Sequence, residues 1–138
     1  IYTNTMTPTI GAVLVTIFQL VIAFGLINVW LVRFKKSTKY RGGTAQNMKE
    51  EFAGYGLPVW SVYIVGGLKV IIAGVLLLNV FAVGTINSVV TAALVLLTIL
   101  MLGAISMHLK VKDSFIKFVP ALLILGMTIA SLYLINLS

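Results

Sequence analysis

Few residues of this chain could take part in acid–base, thiol or metal chemistry. The only histidine is His108, the carboxylates are limited to Glu50, Glu51 and Asp113, and cysteine is absent. The lack of cysteine excludes disulfides and thiol redox centres. One histidine cannot form a two-histidine haem site or, without cysteine, a usual zinc site. We therefore predict no metal site, no resident cofactor and no catalytic residue.

The most unusual ionisable residue is Lys69, which lies in the apolar run VGGLKVIIAGVLLL (65–78). No carboxylate lies within seventeen residues of it on either side. A lysine at the centre of a membrane helix costs about 2.5–3.5 kcal/mol on insertion, so we expect it to have a role. Gly66, Lys69 and Ala73 share one helical face, and small residues allow close helix packing, so this face should point into the protein.

We predict that Asn28 or backbone carbonyls bind the ammonium of Lys69 in a small polar pocket. Simple extension of the side chain toward the membrane surface is the alternative.

The histidine ends an apolar stretch, two residues before Lys110. A side chain with an apolar body and a polar tip suits a helix end at the membrane interface, and this is the interpretation we favour for His108. The alternative is a ligand to a quinone or a lipid headgroup. In that case Lys69, Asn28 and His108 would form one pocket for a ligand or partner.

The elements that must position these residues are membrane helices. Sixty per cent of the 138 residues are hydrophobic and 9% are charged, which leaves too little polar sequence to cover a soluble core. Four stretches reach the roughly 20 residues of a spanning helix, without the alternation of barrel strands. They cover about 10–32, 58–81, 86–108 and 115–137. We predict an all-α membrane protein with one domain, 1–138, whose four transmembrane helices form an antiparallel bundle. A tight turn is expected at 82–85.

The first stretch is too long for a signal peptide, and since Ile1 is not a start methionine we expect residues before it.

The charge distribution predicts how the chain lies in the membrane. The net charge is +7, and nine of the ten basic residues fall in 33–57 or 109–117, whereas the termini and 82–85 have none. The positive-inside rule places both basic loops in the cytoplasm and both termini outside, in the inner membrane of a cell. Basic residues beside apolar spans indicate anionic lipid, not nucleic acid, as the partner. The residues expected at lipid headgroups or the cytoplasmic interface are Arg33, Lys35, Lys36, Lys39 and Arg41.

The first basic loop contains a predicted short helix. In TAQNMKEEFAGYGLP (44–58), Met48, Phe52 and Tyr55 share one helical face, and residues 49–51 lie off it. We predict an interfacial helix between the first two spans. It should be a connector packed on the inner end of the bundle. Docking of a partner, or a lid over a substrate, is the alternative.

Several of these features resemble the DoxX-like family of small membrane proteins. They are Phe24–Gly25 late in the first span, YGLP (55–58) before the second, a glycine-rich second span with an ionisable centre, and MLGA (101–104). The resemblance covers nearly the whole chain, and its mostly small, apolar motifs specify a fold better than a reaction.

The resemblance implies a four-helix membrane bundle. Some members of the family are associated with quinone-linked or thiol-linked oxidoreductase assemblies, and distant relatives act as chaperones of membrane proteins. This chain departs from the family at two positions. The family often has a lysine where Asn28 stands and a glutamate where Lys69 stands, so an ion pair between those helices is not expected here in that form.

We predict a non-catalytic accessory or interaction subunit, associated with a respiratory or redox complex, in the lipid bilayer with a membrane protein partner or a second copy. The scarcity of acids, haem ligands and thiols favours this function. The alternative is a component of a quinone-dependent oxidoreductase, in which Lys69 and His108 polarise a quinone. A small transporter is a further alternative, weakened because Lys69 has no second ionisable partner in the spans.

Overall fold

The computed structural model describes residues 10–81 and 87–137, and within these ranges the chain is helical without strands. The helices are α1 (Ile10–Ile27), continued by a π-helical turn (Asn28–Val32), α2 (Met48–Gly54), α3 (Val59–Phe81), α4 (Asn87–Lys110) and α5 (Phe115–Leu137). The four long helices have the length and apolar composition to cross a membrane. This confirms the predicted spans, while the predicted turn at 82–85 lies outside the described residues.

The long helices form an antiparallel bundle in which α1 and α4 are diagonal. In the part of the chain that the structure describes, each of these two helices contacts both α3 and α5, but not the other. The antiparallel arrangement of α1 and α3 is visible near both ends. The indole of Trp30 lies against Gly66, and Nδ2 of Asn79 donates a 2.7 Å hydrogen bond to Oε1 of Gln19. Apolar side chains without solvent exposure fill the centre, including Ile22, Leu76, Leu94 and Leu97.

The predicted connector packs on one end of the bundle, which we call the basic end because the loops 33–57 and 111–114 meet there. Asn47 begins α2 by accepting a 2.9 Å hydrogen bond from the backbone N–H of Glu50. The face formed by Met48, Phe52 and Tyr55 is buried, which confirms the predicted face. The position of Glu51 corrects the prediction that 49–51 lie off this face. Its carboxylate is half-buried and accepts a 2.8 Å hydrogen bond from the backbone N–H of Gly42.

The side chain of Arg41 binds backbone carbonyls at the end of the first span. Its guanidinium donates hydrogen bonds to the carbonyl oxygens of Arg33, of Phe34 at 3.4 Å and of Lys36 at 2.9 Å. The carbonyls of Arg33 and Phe34 also accept 3.0 Å hydrogen bonds from the N–H groups of Lys36 and Met48, so Arg41 adds a further donor where the helix has ended. Arg41 is buried, and burial lowers the pKa of its guanidinium. Arg41 thus lies inside the basic end, where the end of the first span uses its donors, and its place at a lipid headgroup or the cytoplasmic interface stays a prediction.

Candidate ligand-binding cavity

A cavity of about 680 Å³ lies in the basic half of the bundle, bounded by α1, α3, α4, α5 and the first basic loop. Its wall is polar near the basic end, where Arg33, Thr38 and Glu51 line it, and apolar toward the membrane centre. Some of the apolar side chains that line it also lie on the outer surface of the bundle, so the cavity opens sideways. These are Val21, Ile99 and Leu123, which are 49%, 59% and 61% exposed.

Lys69 lies on the wall of this cavity, between its polar and apolar parts. The side chain is buried, with 6% of the residue exposed, as the spacing with Gly66 and Ala73 predicted. Its ammonium lies 5.2 Å from the centre of the Trp30 ring, which is a cation–π contact. Asn28 lines the same cavity, but within the described residues no hydrogen bond joins it to Lys69. An aromatic face, not the predicted amide, is the observed neighbour of the cation.

Two local features bring the indole of Trp30 to this position. The π-helical turn ends with a 2.8 Å hydrogen bond from the N–H of Arg33 to the carbonyl of Asn28, five residues back. Such a turn holds more residues than an α-turn and so changes the direction of the side chains around it. Opposite the turn, Gly66 leaves the space that the indole occupies, since a Cβ there would lie 2.6 Å from Cε3 of Trp30. The ring of Phe52 also packs against the indole in a T-shaped arrangement, with ring centres 5.8 Å apart.

His108 lines the cavity at its polar end and is bound by a carboxylate. Its Nδ1 lies 2.6 Å from Oδ2 of Asp113, and Oδ1 of Asp113 accepts a 2.9 Å hydrogen bond from the N–H of Gly43. Burial raises the pKa of Asp113, but the hydrogen bonds from His108 and Gly43 outweigh it, and the resulting pKa lies below the usual range. Asp113 therefore joins the end of α4 to the first basic loop, a link that we call the loop clamp.

A second link joins α2 to the same end of the cavity. Tyr55 is buried near the carboxylate of Glu51, which accepts a hydrogen bond from the N–H of Gly42. Burial, together with the negative charge of Glu51, raises the pKa of Tyr55, so the phenol stays protonated. Nζ of Lys110 donates a 2.7 Å hydrogen bond to the carbonyl oxygen of Tyr55. The C-terminal end of α2 is thus bound to α4 through Lys110, and to the start of the first basic loop through Glu51 and Gly42.

The structure brings the three predicted pocket residues Lys69, Asn28 and His108 onto one cavity. Of the five predicted interface residues, Arg33 and Arg41 line it too, while the side chains of Lys35, Lys36 and Lys39 are exposed. Sequence reasoning missed three wall residues, Trp30, Tyr55 and Glu51. The shared face of Met48, Phe52 and Tyr55 was the only sequence signal for any of them.

Comparison with known proteins agrees with this architecture. Residues 36–131 match the sequence profile of the DoxX-like family, a stretch that holds α2, α3, α4 and most of α5. No curated protein and no solved structure matches the chain. The match covers well over half of the sequence and includes Lys69 and His108. The chain therefore belongs to the DoxX-like family.

Proposed function

We propose that this membrane protein is a ligand-binding accessory subunit, which holds one amphipathic small molecule and works beside a membrane protein partner, either a respiratory or redox complex or a second copy. The observation that carries the proposal is the division of the cavity into a polar end and an apolar part that opens sideways. Its volume of about 680 Å³ suits a small molecule, since such sites usually enclose about 300–1,000 Å³.

The carboxylates support binding over catalysis. Each of the three has a structural partner: Glu50 binds Asn47 at 2.9 Å, Glu51 binds Gly42 at 2.8 Å, and Asp113 binds His108 at 2.6 Å. General acid–base catalysis needs a group that can reach the substrate and exchange a proton with it. These three carboxylates instead hold the loops and α2 at the basic end.

We also propose how the chain is oriented in the membrane. The nine basic residues at or near the basic end favour a cytoplasmic position for that end, in the inner membrane of a cell with both termini outside. The side opening then lies toward the inner leaflet, where an amphiphile could enter from the bilayer with its polar group near the membrane surface.

Two glycines allow a controlled test of the cavity. A Cβ at Gly103 or at Gly126 meets no atom within 4 Å, so neither site resists a larger side chain, but only Gly103 lines the cavity. Gly103→Leu should narrow the cavity, and Gly126→Leu is the matched control. Native mass spectrometry in a nonionic detergent would measure binding of oleyl alcohol, oleate and decylubiquinone to the three proteins.

We expect the parent and Gly126→Leu to carry one molecule of at least one of these amphiphiles, and Gly103→Leu to carry none. The proposed function is wrong if the parent binds none of them. It is also wrong if Gly103→Leu binds as much as the control, because the molecule would then sit on the lipid-facing surface.

A component of a quinone-dependent oxidoreductase is the second candidate. The observation that favours it is that Lys69 and His108, two groups able to donate to a quinone oxygen, line the same cavity. In the same assay, this function requires that decylubiquinone binds more tightly than oleyl alcohol. Both Lys69→Met and His108→Phe should remove that preference. Equal binding of decylubiquinone and the alcohol would exclude this candidate.

A further inference from the structure

We propose that the cavity selects an amphiphile with an anionic headgroup, a carboxylate or a phosphate on one aliphatic chain, and that Lys69 binds this headgroup. This inference rests on the proposed function, because it names the class of ligand for the same cavity.

The charges on the wall favour an anion. Four basic side chains line the cavity, those of Arg33, Arg41, Lys69 and Lys117, against the single carboxylate of Glu51. That carboxylate accepts a hydrogen bond from the backbone N–H of Gly42. The remaining excess of positive charge would attract a negative group and disfavour a cationic one.

Lys69 is the cation best able to bind a ligand. The side chain of Arg33 is exposed to the surface, Arg41 donates to the carbonyls that end the first span, and Lys117 donates a 2.5 Å hydrogen bond to the carbonyl of Gly43. The ammonium of Lys69 makes no hydrogen bond to any residue in 10–81 or 87–137, and its close contact is the ring of Trp30. An ammonium has three donors, and a buried cation is costly when they are unused. A ligand oxygen would supply the missing acceptor.

The order of groups along the cavity matches such a molecule. Lys69 lies ten residues after the start of α3 at Val59, which corresponds to about 15 Å along the helix axis. From there the wall is polar toward the basic end and apolar toward Val21 and Met127, which lie nearer the middle of the membrane. A headgroup at Lys69 therefore places its aliphatic chain among apolar side chains and along the side opening.

The test compares amphiphiles that share one chain and differ in the headgroup: oleate, 1-oleoyl lysophosphatidate and oleyl alcohol. Their dissociation constants are measured for the full-length protein in a nonionic detergent. Lys69→Met removes the charge and roughly keeps the volume, and Lys69→Arg keeps the charge. Lys49→Met is the control, since this exposed lysine of α2 lies over the Tyr63 ring, 5.6 Å from its centre, and does not line the cavity.

In the parent we expect oleate or the lysophosphatidate to bind at least about 10-fold more tightly than oleyl alcohol, because a hydrogen bond between two charged groups is stronger than one to a neutral hydroxyl. The preference should disappear in Lys69→Met and persist in Lys69→Arg and Lys49→Met. The stronger of the two acids identifies the headgroup.

Equal binding of the alcohol and both acids in the parent would overturn the inference, and so would a preference that survives in Lys69→Met. The first result would leave the cavity as a site for neutral amphiphiles, and the second would assign the headgroup to another basic side chain of the wall. The absence of binding by all three molecules would instead count against the proposed function itself. If Lys69→Met does not fold, loss of the preference at high salt in the parent decides the matter, since a charge-dependent contact weakens with ionic strength.

Discussion

The ammonium of Lys69 lies 5.2 Å from the centre of the Trp30 indole, so an aromatic face and not a carboxylate is its close neighbour inside the bundle. Contacts of this kind contribute about 0.5–2 kcal/mol, more when they are shielded from water. The contact depends on Gly66, because only a residue without a side chain leaves room for the indole.

Gly66→Ala should therefore destabilise the protein by about 1–3 kcal/mol, the usual cost of overpacking a core. The neighbouring substitution Gly67→Ala is the control, because a Cβ there meets no atom within 4 Å. Thermal unfolding in detergent would compare the two variants with the parent. Equal unfolding temperatures for both variants would show that Trp30 does not occupy the space beside Gly66.

The fork of hydrogen bonds from Arg41 predicts a specific sensitivity to lysine. Arg41→Lys keeps the charge but cannot reach the same carbonyls with a planar fork, so we expect a loss of about 1–3 kcal/mol. Lys35→Met is the control on the same loop, and as an exposed position it should change stability by less than about 0.5 kcal/mol. A lysine variant as stable as the parent would mean that a positive charge at position 41 is enough to stabilise the end of the first span, without the planar fork of hydrogen bonds.

The loop clamp predicts a dependence on acid. The pKa of Asp113 is lower in the folded protein than its ordinary value of 3.8. The ionised carboxylate of Asp113 therefore stabilises the folded protein above pH 3.8, and this stabilisation is lost as the pH falls through the lowered pKa. We expect Asp113→Asn to lower the unfolding temperature at neutral pH, and the difference from the parent to shrink at lower pH. A difference that stays constant down to the acid limit would contradict the role of the carboxylate charge.

The orientation is tested by labelling. Cysteines placed at Ser37 and Ser114, both exposed at the basic end, should be protected from impermeant reagents in intact cells. A cysteine at Asn4, which lies outside the described residues, should react. Reaction at Ser37 and Ser114 in intact cells would reverse the proposed orientation.

The spans could be predicted from the sequence because a membrane requires long apolar helices whose own backbone groups are satisfied. The predicted ranges differ from the observed helices by one or two residues at their ends. For example, α4 continues to Lys110, whereas the predicted span ends at His108. The interior position of Lys69 was also predictable, because small residues share its face.

The neighbours of Lys69 could not be predicted, because they depend on tertiary structure. Trp30 reaches the cation only through the π-helical turn, which no sequence pattern indicates. Glu51 lies in the loop before α3 and reaches the cavity only because α2 folds back over the bundle end. The binding of carbonyls by Arg41 was missed for a similar reason, since a run of basic residues does not show which one turns inward.

The central claim is that an amphiphile occupies the cavity, and Trp30 reports on this directly. In a Trp60→Phe variant, which removes the exposed tryptophan, the buried Trp30 is the only indole left. Bromine atoms quench an indole on contact, so 2-bromopalmitate, whose bromine lies next to the carboxylate, can be titrated against its fluorescence. The account predicts saturable quenching that Gly103→Leu abolishes and Gly126→Leu retains. Quenching that rises without saturation, or that is the same in Gly103→Leu, would contradict it.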